Sequence, residues 1–154
     1  MRSLLKIFYK LFTKQTVPLV ISSFIDGYTN DILLKAISWI ETNPTTNTFC
    51  SADRKIGRRQ EVSRYQILPK NWQYYANGNN YKPANPKHAK IIATKIIEAR
   101  LITFKRMYNR QPTLREFYLL WNAPAYITGY KRNIIIHPAI MQRAERFINI
   151  CQSL

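Results

Sequence analysis

Acidic side chains are the scarcest chemistry in this sequence: 8 Asp and Glu stand against 24 Lys and Arg, a formal net charge of +16 over 154 residues. A field that strong draws polyanions and speeds encounters with them, so the partners it suits are nucleic acid, an anionic membrane or an anionic cell wall. Glycine is scarce too, at 4 residues, and long alternating β-branched runs are missing, which argues against a sandwich or barrel. The 2 cysteines, Cys50 and Cys151, allow one disulfide, and their positions do not say whether they meet. There is no CxxC or Cys/His cluster. His88 and His137 lie far apart, each near an expected helix start, so neither a metal nor another cofactor is expected. No run approaches the roughly 18 apolar residues of a membrane span.

What is present fits one domain. Hydrophobic residues make up 46% of the chain, too many for a disordered tail. Residues 1–24 form a basic amphipathic segment in which Lys6, Lys10 and Lys14 recur at helical spacing among Leu4, Leu5, Ile7, Phe8, Leu11 and Phe12. This suits a degenerate export signal, a helix lying on an anionic membrane surface, or a plain first helix of the fold. Residues 25–154 form the globular domain, expected to be mainly α and monomeric.

Helix signals are regular along it. Asn30 is an expected N-cap for a helix over Asp31–Glu41, with Ile32, Leu33, Ala36, Ile37 and Ile40 on one apolar face, and Asn43-Pro44 ends it. Residues 45–63 read as an irregular loop carrying the basic run Arg54-Lys55-Ile56-Gly57-Arg58-Arg59. Pro69 opens a helical turn around Trp72. Asn85-Pro86 starts a helix to about Tyr108, and Thr113 with Glu116 forms a capping box for a helix ending near Trp121. A last helix from Pro138 turns Ile140, Met141, Ala144, Phe147 and Ile148 inward.

With so few acids, candidates for acid–base chemistry can be taken one by one. Glu98, Glu116 and Glu145 lie within helices with basic neighbours a turn away. Asp26 and Asp31 precede the first firm helix. Glu41, Asp53 and Glu61 remain. Glu41 closes a helix, where the negative end of the macrodipole disfavours a second negative charge. Its neighbours Ile37 and Ile40 would desolvate it, which also raises a carboxyl pKa. A carboxylic acid still protonated near neutral pH is what glycosidic bond cleavage requires of its acid catalyst.

Three segments resemble the soluble lytic transglycosylases and goose-type lysozymes. Ala36-Ile37-Ser38-Trp39-Ile40-Glu41-Thr42 is similar to their apolar helix ending in a catalytic Glu followed by Ser or Thr. Ser63-Arg64-Tyr65-Gln66-Ile67-Leu68-Pro69, then Trp72, stands where they carry a Gly-Leu-Met-Gln-Ile-like strand. Leu120-Trp121-Asn122-Ala123-Pro124 stands where they have Tyr-Asn-Ala-Gly, and the tail around residues 143–149 looks like their closing helix. Gln60 and Ser63 replace family glycines, Arg64-Tyr65 replace Leu-Met, and Pro124 replaces the Gly after Asn-Ala.

The resemblance implies a lysozyme-like fold over residues 25–154, with a small irregular or β-like element around Tyr65–Ile67. It implies cleavage of peptidoglycan glycan strands in the cell envelope, periplasm or extracellular space, with Glu41 as general acid and then base. Gln66 and Asn122 would bond the sugar at the reaction centre, and Tyr65 would line the groove. Glu61 or Asp53 would be the second carboxylate of a hydrolase; a transglycosylase needs neither. Arg54, Lys55, Arg58, Arg59 and Arg64 would form a basic rim that gathers an anionic wall. A small nucleic-acid-binding protein is the alternative that the charge and ten Tyr residues also suit, although no helix-turn-helix, zinc-finger or RNA-recognition signature accompanies them and the Lys and Arg are spread along the chain. A catalytically inactive wall-binding relative is another.

Overall fold

A computed structural model describes residues 24–127 and 135–154. Of the basic segment 1–24, only the last residue falls within them. The first element is set by Asp26-Gly27, the dipeptide that favours two consecutive positive φ angles in a two-residue hairpin turn. These residues have φ of 51° and 85°. They join β1 (Phe24–Ile25) to β2 (Tyr28–Thr29), antiparallel, with Phe24 opposite Thr29 and Ile25 opposite Tyr28.

Thr29 N-caps α1 (Asn30–Thr42), its hydroxyl accepting from the Ile32 N–H at 3.3 Å. The cap is therefore one residue ahead of Asn30, the residue expected to hold it; the hairpin leaves Thr29 extended and its hydroxyl in reach. Leu33, Leu34, Ala36 and Ile37 are buried along α1. Asn43 closes it in the left-handed conformation, donating to the Trp39 carbonyl at 3.0 Å.

The loop that follows contains a 3₁₀ turn (Ser51–Arg54), and an isolated antiparallel bridge joins Val62 to Ile67. Four longer helices and one short one complete the described chain: α2 (Pro69–Ala76), α3 (Pro86–Tyr108), α4 (Leu114–Asn122), the short α5 (Pro124–Ile127) and α6 (Pro138–Ser153). The protein is mainly helical. The Asn85 cap is present, its Oδ1 accepting from the Lys87 and His88 N–H groups at 2.9 and 3.3 Å. So is the Thr113–Glu116 capping box.

Helix α4 is apolar nearly all round, and a helix with that pattern belongs inside a protein. Leu114, Phe117, Tyr118, Leu119, Leu120 and Trp121 are all buried. Phe147 of α6 packs on Phe117 and Tyr118 with ring centroids 5.8 and 5.4 Å apart. Side chains from distant elements satisfy both ends of α4. The Leu114 N–H donates to Asp26 Oδ2 at 3.0 Å. At the other end Arg100 of α3 donates to the Leu120 and Trp121 carbonyls at 2.7 and 2.6 Å. Burial pushes the Arg100 pKa down to about 10, which leaves it charged at neutral pH beside the negative end of α4. Cys50 is half-buried and Cys151 buried, and both are free thiols. Among the described residues no helix is long and apolar enough to cross a membrane.

Candidate active site

Glu41 is the penultimate residue of α1, and its side chain is only 9% exposed. Oε2 accepts from the Arg143 guanidinium of α6 at 3.0 Å. Oε1 is buried and completes no hydrogen bond among the described residues, and the same holds for the Tyr118 hydroxyl of α4. The two groups are close enough that the Glu41 charge helps to raise the Tyr118 pKa, after burial, the main cause. Burial pushes the Glu41 carboxyl above its ordinary 4.5. That effect outweighs the Arg143 charge, the neighbouring Asn122 amide and the Arg143 hydrogen bond, all of which pull down, while the Glu61 charge adds a further upward push. The end of α1, the end of α4 and the outer face of α6 thus converge on one carboxyl.

Thr42 locks this helix end to the neighbouring loop. Its hydroxyl lies 3.2 Å from the Ser38 carbonyl and 3.1 Å from the Arg64 carbonyl, donating to the turn of helix below and to the hairpin opposite. That hairpin is held by reciprocal Val62–Ile67 backbone bonds of 2.8 and 2.9 Å. Just before it a tight turn is closed by the Gly57 N–H donating to the Glu61 carbonyl at 2.9 Å. Gln60 and Ser63 have φ of 62° and 66°. These two positions, where glycine was expected by resemblance, adopt the left-handed backbone that favours glycine. Gly57 serves a different need: a Cβ there would run into both the Glu61 carboxylate and the Gln66 amide oxygen.

The structure separates the remaining candidates. Glu61 carries an ionised carboxylate: burial pulls its pKa upward but is outweighed by the Arg59 N–H and guanidinium, at 2.8 and 3.0 Å. Asp53 is 1% exposed and fully engaged. Arg64 grips it with two bonds of 2.7 and 2.8 Å, and the Cys50 N–H donates to it at 2.9 Å. Although burial raises its pKa, these bonds hold Asp53 below its ordinary 3.8. With all its contacts taken, it is a structural residue of the 46–64 loop rather than a free second carboxylate.

Arg64 is buried with it, also donating to the Thr46 and Thr48 carbonyls at 3.2 and 2.6 Å. It therefore leaves the expected basic rim, where Arg59 is paired with Glu61 and Arg54 lies over the Phe49 ring. Tyr65 is 5% exposed, edge-on to Trp121 at 6.3 Å, and so belongs mostly to the core. Gln66 donates its amide to the Lys55 and Ser63 carbonyls at 3.1 and 3.0 Å, bracing the loop. Asn122 stands beside Glu41.

Tyr118 and Arg143 were missed by sequence reasoning. Tyr118 drew no reading of its own, and Arg143 entered only as part of the tail that resembles a closing helix, one of 24 Lys and Arg. The available signal was a Tyr one turn before Asn122 on the same face. Among the described residues no three His, Cys, Asp or Glu side chains come together to hold a metal ion. No protein-family model, curated protein or solved structure matches the chain.

Proposed function

We propose that this protein is a lysozyme-like enzyme of the cell envelope that cleaves peptidoglycan glycan strands, with Glu41 as general acid and then base. The observation that carries this reading is the Glu41 carboxyl: at a helix C-terminus, nearly buried, with a raised pKa and one oxygen unpartnered. A group so placed for structure alone would be a poor choice, because a cation is favoured at that helix end. As an acid catalyst it gains from each of these features. It holds its proton to higher pH, the state in which a general acid acts. Arg143 then steadies the carboxylate that forms, and Asn122 is close enough to bond a sugar substituent at the same point.

Glu61 completes a pair in which two carboxyls are pushed in opposite directions, one raised and one lowered. Such divergence assigns acid and base roles. In a hydrolase Glu61 activates water. In a transglycosylase its charge only helps keep Glu41 protonated, and the sugar's own hydroxyl is the nucleophile. The glycine-like backbone at Gln60 and Ser63 supports the resemblance where the side chains depart from it.

Zymography on purified peptidoglycan tests the proposal. Wild-type protein should clear the substrate, and Glu41→Gln, still folded, should lose at least about 10²-fold of the activity. Binding without clearing would make the chain a wall-binding protein, and clearing by Glu41→Gln at the wild-type rate would remove Glu41 from the mechanism. Mass spectrometry of the released fragments separates a reducing end from an anhydro end.

A further inference from the structure

Glu41 offers solvent very little. Its side chain is 9% exposed, and Oε1 is buried near Asn122 and Tyr118 of α4. A group arriving from outside therefore meets the carboxyl at Oε2, and that atom is taken: the Arg143 guanidinium donates to it at 3.0 Å. A guanidinium carries donors and no acceptor. A proton on Oε2 would face donors only, so the ion pair and an acid that can serve a substrate exclude one another. A proton on Oε1 spares the ion pair but is shut away from the substrate.

The two arginines that face buried acids differ in freedom. Arg64 also donates to the Thr46 and Thr48 carbonyls and its side chain is 6% exposed, so it is fixed. Arg143 is held by its one bond to Glu41 and its side chain is 44% exposed, so it can swing into solvent.

We infer that Arg143 is a latch on Glu41, a positioning residue that closes over Oε2 in the resting protein and lets go when a glycan strand docks, an inference that rests on the function proposed above. Release frees Oε2 to carry the proton. The Oε2–H bond then breaks as an O–H bond forms on the leaving glycosidic oxygen, and the carboxylate left behind is again a partner for the guanidinium. The groups that face Glu41 are Arg143 from α6, Tyr118 and Asn122 from α4, and Glu61 from the turn before the 62–67 hairpin. The Arg143 charge favours the ionised, latched form and the Glu61 charge the protonated, open one. The latch thus tightens as pH rises and loosens as it falls, and Arg143 sets the upper pH limit of the activity.

The test uses the full chain as wild type, Arg143→Gln and Arg143→Lys. Carbon NMR follows the titration of the Glu41 carboxyl, assigned by its loss in Glu41→Gln, and cleavage of purified peptidoglycan is measured across the same pH range. In Arg143→Gln the carboxyl should titrate at higher pH and the basic limb of the pH–rate profile should move up with it. Above the wild-type limb this variant should be about three- to tenfold faster than wild type. Arg143→Lys, which keeps the charge, should stay close to wild type. An unmoved limb, or an Arg143→Gln that is folded and slower at every pH, overturns the inference and leaves the function standing. No cleavage by wild-type protein removes the function, and the carboxyl titration then still decides whether Arg143 holds Glu41 ionised. Should Arg143→Gln fail to fold, wild-type protein decides alone. Binding an N-acetylglucosamine oligomer should shift the Arg143 guanidinium nitrogen signals away from their ion-paired position, and unshifted signals in the bound complex overturn the latch.

Discussion

Asp53 and Glu41 are two acids withdrawn from water, and each faces an arginine. Asp53 has every contact a buried carboxylate needs: two bonds from Arg64 and one from the Cys50 N–H. Glu41 has a single bond from a half-exposed Arg143, and its second oxygen, buried near Asn122 and Tyr118, completes none among the described residues. Burial works against the charge in both. It loses at Asp53, where the pKa falls, and wins at Glu41, where the pKa rises. A carboxyl used to build a loop is saturated with donors, while one suited to move a proton is under-supplied.

The contrast is broken most forcefully by removing Asp53. Asp53→Ala strands the buried Arg64 guanidinium, so a loss of about 3–5 kcal/mol is expected in urea denaturation. Asp53→Ala/Arg64→Met should recover much of it, because the uncompensated charge is gone. Glu41→Gln should leave stability at neutral pH equal to wild type or slightly higher, since it removes a desolvated charge. A large loss there would mark Glu41 as structural.

The two acids should also give opposite pH slopes. The folded-state pKa of Glu41 lies above 4.5, so its contribution is complete below that value and is lost as pH rises through the folded pKa. The folded-state pKa of Asp53 lies below 3.8, so its contribution is present above that value and is lost as pH falls through the folded pKa. Wild-type stability relative to Glu41→Gln should therefore decline as pH is raised from about 4.5. The destabilisation by Asp53→Ala should shrink as pH is lowered below about 3.8. Parallel curves for the two variants would refute the contrast.

A finer test lies at Glu61, whose charge helps to raise Glu41. In a transglycosylase, Glu61→Gln should retain most activity and move the basic limb of the pH–rate profile to lower pH. In a hydrolase that uses Glu61 as base, activity should fall about 10²-fold or more. The smallest expected effect is at Gln60, φ 62°. Gln60→Gly should raise stability by about 1 kcal/mol by relieving left-handed strain, an increase visible in thermal unfolding.

The helices were legible in the sequence because their signals are local. Asn85-Pro86 and the Thr113–Glu116 box needed no tertiary partner to be recognised, and α3 has the bounds those signals imply. The capping role of Thr29 is not a local signal of the helix itself, because it depends on the Asp26-Gly27 hairpin that sets Thr29 extended. At the site, the position of Glu41 at a helix end could be read from its apolar neighbours and Asn43-Pro44. Its surroundings could not. Arg143 lies 102 positions away, and no periodicity distinguishes it from other surface charges. Asp53 and Gln66 stayed candidates because their hydrogen-bond partners, Arg64 and the Lys55 carbonyl, are set by the path of an irregular loop.

The bond from Leu114 to Asp26 closes 88 positions of chain. At a synthesis rate of about 5–20 residues per second, roughly 4–18 s separate the making of its two ends. For that time the first hairpin waits as two short strands, which alone are at best marginally stable in water. The innermost helix is still unmade, so the segments meant to enclose it have no core to fold against. A nascent chain ending before α4 should therefore remain open to proteolysis on the ribosome.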